Sequence, residues 1–383
     1  MNLAGPFNAG LMGAGDKTRL DFLFRTRALV TPEDFGAKGG SSTPGASSTD
    51  NLAVQKMFDS GKPCLFDQYY SVDTAIIANY AASQVGAYIE GFGTRSGLVL
   101  KAGGRVSLEG MNPDNPIGWQ ADQYCLQNLA IFVDYNSGNV PLTLKAAGGD
   151  SGSHSPGVDL KNVNIIPTST LNGGTGAQLE LVNIRQGSLD NVSVAGRYGA
   201  YQGLGIVHTV LEGGAPVEIA NYNTRAAHLQ KAFVVKAAAG ATANDDAQGH
   251  HWTNCTALAV DRGWDLDGGP EGFGEWSKIS GGHAYFREIG VFSTNYGNIH
   301  AEDIYLLGHG ALATIQGIAV TGSSIDNYLF LKDNRIRLNA ATGATRIGIN
   351  TPAAYSGSAA HNRTTGANNA YGLMAGVTST DNT

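Results

Sequence analysis

Residues 161–165, Lys-Asn-Val-Asn-Ile, carry the pattern that decides the fold: a polar residue, an asparagine, and then apolar residues at alternate positions. The pattern occurs at 127–131, 161–165, 190–194, 253–257 and 297–301. The asparagines at its second position are 34, 29, 63 and 44 residues apart, so the period is loose, about thirty residues with one copy unmarked. This spacing is typical of a solenoid.

A coil of short parallel β-strands explains both the alternation and the asparagines. In such a coil each strand directs alternate residues inward, and the next coil pairs with the backbone groups that the previous coil leaves open. Asparagine at a corner tolerates left-handed backbone angles and can hydrogen-bond along a ladder of equivalent positions. The alternative is a β-sandwich with these asparagines in ordinary turns. We favour the coil, because helical periodicity is almost absent from residues 126–331.

The composition agrees with one elongated, turn-rich body. Glycine contributes 53 of 383 residues, about twice its average share, and charged residues make up 15% of the chain, against roughly 25% in an ordinary soluble domain. The apolar fraction of 42% and the net charge of −7 exclude a disordered chain. The mild acidity argues against nucleic acid as a partner, because phosphate binding needs a basic face.

Several other classes are excluded by missing patterns in the sequence. No run of eighteen apolar residues is present, which argues against membrane insertion, and the first thirty residues lack the pattern of a secretory signal. Cys64, Cys125 and Cys255 are far apart, so we expect buried free thiols rather than a disulfide framework or a zinc site. No HExxH, phosphate-loop or GxSxG element occurs, and we expect no cofactor and no metal.

The chain divides by pattern into a lead (1–28), a cap with the first coils (29–102), the coil proper (103–331) and a C-terminal region (332–383). The lead is rich in glycine and has a short apolar patch that we expect to pack on another protein. The cap contains a short helix that begins after Thr49 or Asp50 and ends at Gly61. The C-terminal region opens with two alternating runs around 340–344, which predict a β-hairpin whose apolar face needs a partner.

Residues 31–61, TPEDFGAKGGSSTPGASSTDNLAVQKMFDSG, resemble the opening motif of the pectate-lyase superfamily of right-handed β-helix proteins. The residues DFGAKG at 34–39 and the Thr49-Asp50 step into a short helix match in order, and IEGFG at 89–93 resembles the next block of the family. A longer segment, 40–48, replaces the family's compact turn. The resemblance implies an all-β fold, a right-handed parallel β-helix. It implies no chemistry, because the motif caps the solenoid and carries no catalytic group.

Within this superfamily the chain is most similar to bacteriophage tailspike and tail-fibre proteins. Residues 346–352, RIGINTP, also resemble an element that often follows the helix in phage fibre proteins, with Asn350 where glycine is usual. The resemblance implies a virion tail protein that acts at the bacterial surface. Its lead, 1–28, would attach to other tail or baseplate proteins, its β-helix would bind a host surface glycan, and its C-terminal hairpin region would assemble a homotrimer.

Two alternatives remain beside the tailspike. One is a structural virion β-helix protein without enzymatic activity. The other is a bacterial polysaccharide lyase or hydrolase, which would normally need an export signal.

Residues 249–278 hold three of the four tryptophans together with several carboxylates. Sugars pack their C–H faces on aromatic rings and bond their hydroxyls to carboxylates, so this stretch is the best candidate for a glycan site. The predicted glycan-binding residues are Trp252, Trp264 and Trp276. The predicted catalytic residues are Asp265, Asp267, Glu271 and Glu275.

The carboxylates suit glycoside hydrolysis, which needs two carboxyl groups about 5 to 9.5 Å apart. Asp265 and Asp267 face the same side of an extended strand at roughly 6.5 Å, and Glu271 and Glu275 could fold back over them. Three interpretations stay open: the catalytic carboxylates of a depolymerase, glycan binding without turnover, and plain turn structure.

A polysaccharide lyase would instead need a base and cations beside a uronic acid. The nearest supply is His250, His251, Lys278 and Arg262. Adjacent histidines on a strand point to opposite faces, so only one of the two histidines could serve.

Overall fold

The protein is a coil of short strands, each of which pairs in parallel with its counterparts one coil before and one coil after, as the computed structural model shows. The predicted right-handed parallel β-helix is confirmed. The structure describes residues 29–40, 49–80, 87–111, 123–146, 157–184, 186–211, 218–237, 249–269, 274, 276–310, 312–322, 328–340, 343–351, 355–372, 377–380 and 382.

The strands form three sheets that run along the coil. The first sheet contains β1 (Cys64–Leu65), β4 (Ala87–Glu90), β7 (Gln123–Val133), β9 (Gly157–Pro167), β11 (Gln186–Asp190), β14 (Ile219–Tyr222), β17 (His251–Thr253), β19 (Ser277–Ser280), β21 (Ile299–Glu302), β24 (Tyr328–Lys332), β27 (Ser356–Ala360) and β30 (Val377–Thr380).

The second sheet contains β2 (Tyr69–Val72), β5 (Gly97–Leu100), β12 (Ser193–Ala195), β15 (Arg225–Ala227), β18 (Thr256–Asp267), β20 (His283–Thr294), β22 (Tyr305–Gly310), β25 (Arg335–Ala340) and β28 (Arg363–Thr365). The third contains β3 (Ala75–Asn79), β6 (Arg105–Met111), β8 (Leu142–Ala146), β10 (Ala177–Val182), β13 (Leu204–Val210), β16 (Lys231–Ala237), β23 (Thr314–Thr321), β26 (Thr345–Asn350) and β29 (Asn369–Gly372). Four strands are long enough to pass a corner and take part in two sheets. Strands β7 and β9 join the first sheet to the second, and strands β18 and β20 join the second sheet to the third.

Alternate residues of each strand fill the interior, as the alternation in the sequence predicts. One interior row of the first sheet passes from Leu126 through Leu160, Leu189, Asn221, Trp252, Ile279, Ala301 and Leu331 to Ala359. Nearly all of these side chains belong to one continuous apolar cluster that runs from coil to coil. Burial of this cluster, about 25 cal/mol for each Å² of apolar surface, is the main stabilising contribution to the coil.

The predicted asparagine corner lies between the first and second sheets. Asn128, Asn162, Asn191 and Asn254 all have φ between 53° and 54°, and the unmarked copy of the repeat is Asn223, with φ of 51°. The side chains form a ladder: Asn162 donates to Asn128 at 2.9 Å and Asn191 donates to Asn162 at 2.8 Å.

The fifth copy of the repeat belongs to a different corner. Asn298 precedes β21 and is in register with Trp276, which precedes β19. The corner that matches Asn254 is occupied instead by Gly281, whose φ is 64°. Glycine adopts the same left-handed angle without an asparagine. The fifth copy of the sequence pattern therefore marks the corner before the first sheet, whereas the other four mark the corner after it.

The N-terminal cap follows the prediction. Helix α1 (Asn51–Asp59) begins after Asp50, and Gly61 follows its end with φ of 63°. Its residues Ala53, Val54, Met57 and Phe58 are buried against the first coil. The Asp50 carboxylate accepts the Lys38 backbone N–H at 2.9 Å, which ties the preceding segment to the helix. Two short 3-10 helices, Pro32–Phe35 and Gly93–Arg95, complete the helical elements of the described residues.

The predicted C-terminal hairpin at 332–350 is not formed. Strand β25 pairs in parallel with β22 and β28, and β26 pairs in parallel with β23 and β29. The coil therefore continues past Leu331 to β30 instead of ending there. Alternating apolar residues on two adjacent runs suit a hairpin and two successive solenoid strands equally well, because both bury one face of each strand.

The three cysteines form no disulfide and are buried, as predicted. Within the part of the chain that the structure describes, no helix is long and apolar enough to span a membrane.

Candidate functional site

The three clustered tryptophans lie in three different environments. Trp252 lies in the interior row of the first sheet, and Trp264 lies inside the third sheet, where it stacks on Phe233 with 5.5 Å between ring centroids. Both indoles are 0% exposed. A sugar cannot stack on a ring inside the coil, so the glycan-binding prediction is wrong for Trp252 and Trp264. Trp276, by contrast, is 63% exposed.

Asp265 and Asp267 alternate with the buried residues Trp264 and Leu266, so both point away from the core, as their spacing predicts. The Asp265 carboxylate is nonetheless buried beneath its partners. One oxygen binds Lys231 Nζ at 2.9 Å and the other binds Arg262 Nη1 at 2.8 Å. This carboxylate holds two cations in place and has no free oxygen for a sugar.

Asp267 has a local structural role, since its Oδ1 accepts the backbone N–H of Gly269 at 2.9 Å. That bond closes the turn after β18 and matches the plain-turn interpretation of this residue. The predictions for Glu271 and Glu275 lie outside the described residues.

Trp276 occupies a corner where its backbone is strained. It precedes β19 with φ of 56°, a left-handed conformation that is an outlier for a bulky residue. Gly249 and Asn298 occupy the same corner on the neighbouring coils, with φ of 64° and 27°. Glu218 occupies this corner one coil before Gly249, also with φ of 56°. Glycine and asparagine meet the requirement at lower cost than either the glutamate or the tryptophan.

A row of rings continues from Trp276 along the outside of the first sheet. We call the exposed or half-buried rings of His251, Trp276, His300, Tyr328 and Phe330 the aromatic strip. The His300 ring lies 6.4 Å from Trp276, 6.5 Å from Tyr328 and 5.2 Å from Phe330, measured between centroids. His251, Lys278, His300 and Phe330 stand in direct register on four successive strands. Strands are about 4.8 Å apart, so the strip runs parallel to the axis of the coil.

Charged groups lie between the rings. Lys278 Nζ binds Glu302 Oε1 at 2.6 Å, and Ser280 Oγ donates to the same oxygen at 3.1 Å. The hydrogen bond from Lys278 lowers the pKa of the Glu302 carboxyl. Burial lowers the pKa of His251 and of His300, and the nearby Lys278 ammonium lowers both further. At pH 7 the two imidazoles are therefore neutral, and the charged groups among the rings are the paired Lys278 and Glu302.

A cleft opens beside the Trp276 ring. It has a volume of about 360 Å³ and is lined by Glu218, Ala220, Gly249, His251 and Trp276. Two of the lining residues, Ala220 and Gly249, are small, and a Cβ at position 249 would lie 3.1 Å from the Glu218 backbone nitrogen. Gln186 Nε2 donates to Glu218 Oε2 at 2.8 Å, which holds the carboxylate at the edge of the cleft.

The two adjacent histidines face opposite sides, as predicted. His250 is buried in the core, whereas His251 is exposed and stands in register with Lys278. Arg262 is not available to the cleft, because its guanidinium binds Asp265 and, at 2.7 and 3.0 Å, both oxygens of Glu288. Of the groups considered for a lyase, the structure brings together only His251 and Lys278.

Four residues of the site were missed in the sequence: Glu218, His300, Tyr328 and Phe330. They lie 24 to 58 residues from Trp276 along the chain, and only the register between coils brings them to it. Lengths between corners vary from coil to coil, so the register cannot be counted from the sequence. The sequence does contain one indication of the site. Aromatic residues such as Tyr328 and Phe330 alternate with the core residue Leu329, which predicts that both rings lie on the outer face of their strand.

Comparison with known proteins identifies the fold. No protein-family model matches the chain, and no curated protein matches it in sequence. Among solved structures, the A-module of the mannuronan C-5 epimerase AlgE6 of Azotobacter vinelandii is similar over 92% of this chain and 98% of that chain, with a TM-score of 0.54 at 14% identity.

Two further solved structures are similar at lower TM-scores. The enzymatically active domain of tailspike protein 2 of bacteriophage CBA120 matches over 88% of this chain and 43% of that chain, with a TM-score of 0.46 and 15% identity. The catalytic domain of a GH87 alpha-1,3-glucanase matches over 90% of this chain and 68% of that chain, with a TM-score of 0.45 and 14% identity. This chain thus spans less than half of the tailspike domain. At these identities the likeness establishes the fold alone, a parallel β-helix.

Proposed function

We propose that this chain is a tailspike-like β-helix protein whose first sheet binds a polysaccharide on the surface of a bacterial host. The observation that carries the proposal is Trp276, an exposed indole in a left-handed conformation at the edge of a cleft. Strained backbone conformations persist where the surrounding structure and a function both require them.

The chemistry of the aromatic strip suits a sugar chain. Its rings offer apolar faces for the C–H faces of sugars, and Glu218, Lys278 and Glu302 offer acceptors and donors for hydroxyls. The balance of one cation against nearby carboxylates favours a neutral or weakly charged glycan over a polyanion at this sheet. The coil supplies a rigid support, since every ring of the strip lies on or directly beside a paired strand.

The wider role rests on the sequence resemblance to phage tail proteins. In this proposal the protein is a component of a phage tail, residues 1–28 attach to other tail or baseplate proteins, and the chain assembles as a homotrimer at the bacterial surface. Light scattering of the intact chain tests the assembly: a mass near three times 39.8 kDa supports the homotrimer, and a mass near 39.8 kDa contradicts it.

Turnover of the bound glycan is a second candidate function, favoured by His251, which lines the cleft together with Glu218 and stands in register with Lys278. A neutral imidazole is a competent base, and the Lys278 ammonium stands on the adjacent strand in direct register with it, where it would lie beside a single uronic residue of a weakly charged chain. If His251 abstracts no proton from the bound sugar, the same residues only bind the glycan. Binding and turnover therefore share one site.

One experiment separates the candidates. Purified protein and the variant Trp276→Ala are incubated with capsule or lipopolysaccharide from candidate hosts, and binding, new reducing ends and the ultraviolet absorbance of unsaturated products are measured. Binding that Trp276→Ala abolishes supports the glycan site. New reducing ends alone indicate hydrolysis, and added absorbance indicates a lyase.

The matched control is Tyr198→Ala, since Tyr198 is 64% exposed and lies between β12 and β13, away from the first sheet. Equal loss of binding in both variants would overturn the aromatic strip as the site. Binding that both variants retain would overturn it as well.

A further inference from the structure

The outer face of the second sheet has a charge pattern unlike that of the first. From β12 to β28 its outward positions form two rows, and neither row contains an aspartate or glutamate. One row reads Ser193, Arg225, Thr256, His283, Tyr305, Arg335 and Arg363; the other reads Ala195, Ala227, Leu258, Tyr285, Leu307, Arg337 and Thr365. In a chain with a net charge of −7, this face is cationic.

Three arginines are concentrated at one end of this face. Arg335 and Arg363 are direct partners on β25 and β28, and Arg337 follows Arg335 on the same side of β25. Strand spacing places Arg335 and Arg363 about 4.8 Å apart at the backbone, and alternate residues place Arg335 and Arg337 about 6.6 Å apart. All three side chains are exposed.

The three guanidinium groups have no ion-pair partner among the residues that the structure describes. Among the described residues, no carboxylate lies within ion-pair distance of Arg335, Arg337 or Arg363. Asp333, at the corner two residues before Arg335, contacts Lys332 Nζ at 3.6 Å and His361 Nδ1 at 3.5 Å. Like charges at directly opposite positions on neighbouring strands destabilise a sheet, so the arrangement costs free energy in the absence of an anion.

We propose that Arg335, Arg337 and Arg363 bind phosphate or sulfate ester groups on a glycan chain. The planar guanidinium forks match the paired oxygens of a tetrahedral oxyanion, and three of them together offset the negative charge of a sulfate ester or a phosphate ester. Tyr305, the ladder neighbour of Arg335, is 39% exposed and places a hydroxyl donor beside the same position.

The extent of the cationic face favours a chain over a free ion. The row of Arg335 and Arg363 continues along the axis of the coil to His283, two strands from Arg335, and to Arg225, four strands from Arg335. Burial and the nearby Arg225 lower the pKa of His283, so at pH 7 it offers this row a neutral imidazole beside the Arg225 cation. A single phosphate or sulfate ion would engage only the three arginines, whereas an esterified polymer follows the whole row. This site is on a different sheet from the aromatic strip, so each can be lost without the other.

The test uses the full chain and three probes: dextran sulfate, neutral dextran and inorganic sulfate. Binding is measured by titration calorimetry at low and at physiological ionic strength. The triple variant Arg335→Gln, Arg337→Gln, Arg363→Gln is compared with the triple variant Lys56→Gln, Lys62→Gln, Arg95→Gln, which removes the same charge from exposed positions near the other end of the coil. Thermal unfolding and sedimentation velocity accompany both.

We expect dextran sulfate to bind and neutral dextran not to bind, with affinity that falls as salt rises. The arginine variant should lose at least tenfold in affinity, and the control variant should stay within twofold. Equal loss in both variants would overturn the site, because it would indicate attraction to overall charge. Saturation by inorganic sulfate at the same concentration as the polymer would overturn the glycan chain as the ligand. A change in the sedimenting mass of the arginine variant with unchanged dextran sulfate binding would assign the face to contact between copies of this chain and overturn the proposal.

Discussion

The imidazole rings of His208 and His250 pack edge to face inside the coil, with 4.8 Å between their centroids. Among the described residues, no group hydrogen-bonds to any of the four ring nitrogens. His208 belongs to the interior row of the third sheet between Leu181 and Val235, and His250 precedes β17 of the first sheet. Protonation of either ring would place a charge in the apolar core without a compensating partner.

This pair makes the fold sensitive to acid. Burial lowers the pKa of His208 to about 3 and the pKa of His250 well below its ordinary value of 6.5. Because the unfolded chain takes up these protons near pH 6.5 and the folded chain does not, stability is intact above pH 6.5 and falls as pH decreases toward 3. Each buried imidazole contributes a loss of about 1.4 kcal/mol per pH unit in this window.

We therefore expect the variant His208→Leu to lose stability less steeply with acid than the natural chain. Leucine already occupies the neighbouring position 181 of the same interior row, so the substitution suits the site. The free energy of unfolding is measured in urea at pH 7.5, 5.5 and 4.5, with His361→Asn as the control, because asparagine tolerates the left-handed angle of that exposed corner. Parallel pH profiles for His208→Leu and the natural chain would contradict the assignment.

The asparagine corner is expected to depend on both backbone angle and side chain. Asn162 has φ of 53°, donates to Asn128 and accepts from Asn191. The variant Asn162→Gly keeps the angle and loses the two hydrogen bonds, whereas Asn162→Ala also adds strain of about 1 kcal/mol. The expected order of unfolding free energy is asparagine, then glycine, then alanine, measured by urea denaturation.

The control for this series is Asn164→Ala, two residues along β9 at an outward strand position. Its effect should be within about 0.5 kcal/mol, as for an ordinary surface substitution. Alanine and glycine at 162 with equal stability would show that the left-handed angle is not the source of the requirement.

The fold could be predicted because its signals are local. Each corner asparagine indicates a left-handed angle at its own position. Asp50 and Gly61 lie within two residues of the ends of the capping helix and so indicate where it begins and ends. The hairpin at 332–350 was mispredicted for the converse reason. Its two runs pair with strands about thirty residues away, and nothing in the runs themselves distinguishes that partner from the adjacent one.

The site was harder to predict because exposure depends on the corner that precedes each strand. Trp252 and His251 are adjacent, yet one fills the core and the other lies on the aromatic strip. Shifting the strand by a single residue would exchange them. Trp276 could have been singled out only by knowing that it occupies a corner position, which follows from its register with Gly249 and Asn298 rather than from its sequence neighbours.

Asp265 is expected to contribute to stability and not to catalysis. Its carboxylate holds Lys231 and Arg262, and both cations remain partly exposed, at 29% and 22% of their side-chain surface. The variant Asp265→Asn should lower the free energy of unfolding by about 1 to 3 kcal/mol, less than for a fully buried pair, because water screens the remaining charges. Urea denaturation measures this loss, and glycan binding should be unchanged. A folded Asp265→Asn protein that has lost glycan binding or turnover would return this residue to the site.

Trp276 is expected to show opposite effects on stability and on binding. A non-glycine residue in the left-handed region costs about 1 to 2 kcal/mol, and glycine restores most of this at an entropic cost of about 0.5 to 1 kcal/mol. Trp276→Gly should therefore unfold with a free energy equal to or higher than that of the natural chain by up to about 1 kcal/mol. Trp276→Ala keeps the strained angle without the ring, and should be less stable than Trp276→Gly.

Binding follows the ring rather than the backbone. Both variants remove the indole face beside the cleft, so both should lose glycan affinity by at least tenfold, about 1.4 kcal/mol. The exposed ring of Tyr198 is removed in the control variant, which should keep its affinity. The stability and the affinity of each variant are interpreted together. If Trp276 served only to pack the corner, its removal would lower both the stability of the protein and its affinity for the glycan. A Trp276→Gly protein that is destabilised by several kcal/mol would identify Trp276 as a structural corner residue, whereas one that is stable and does not bind identifies a strained position maintained for the ligand.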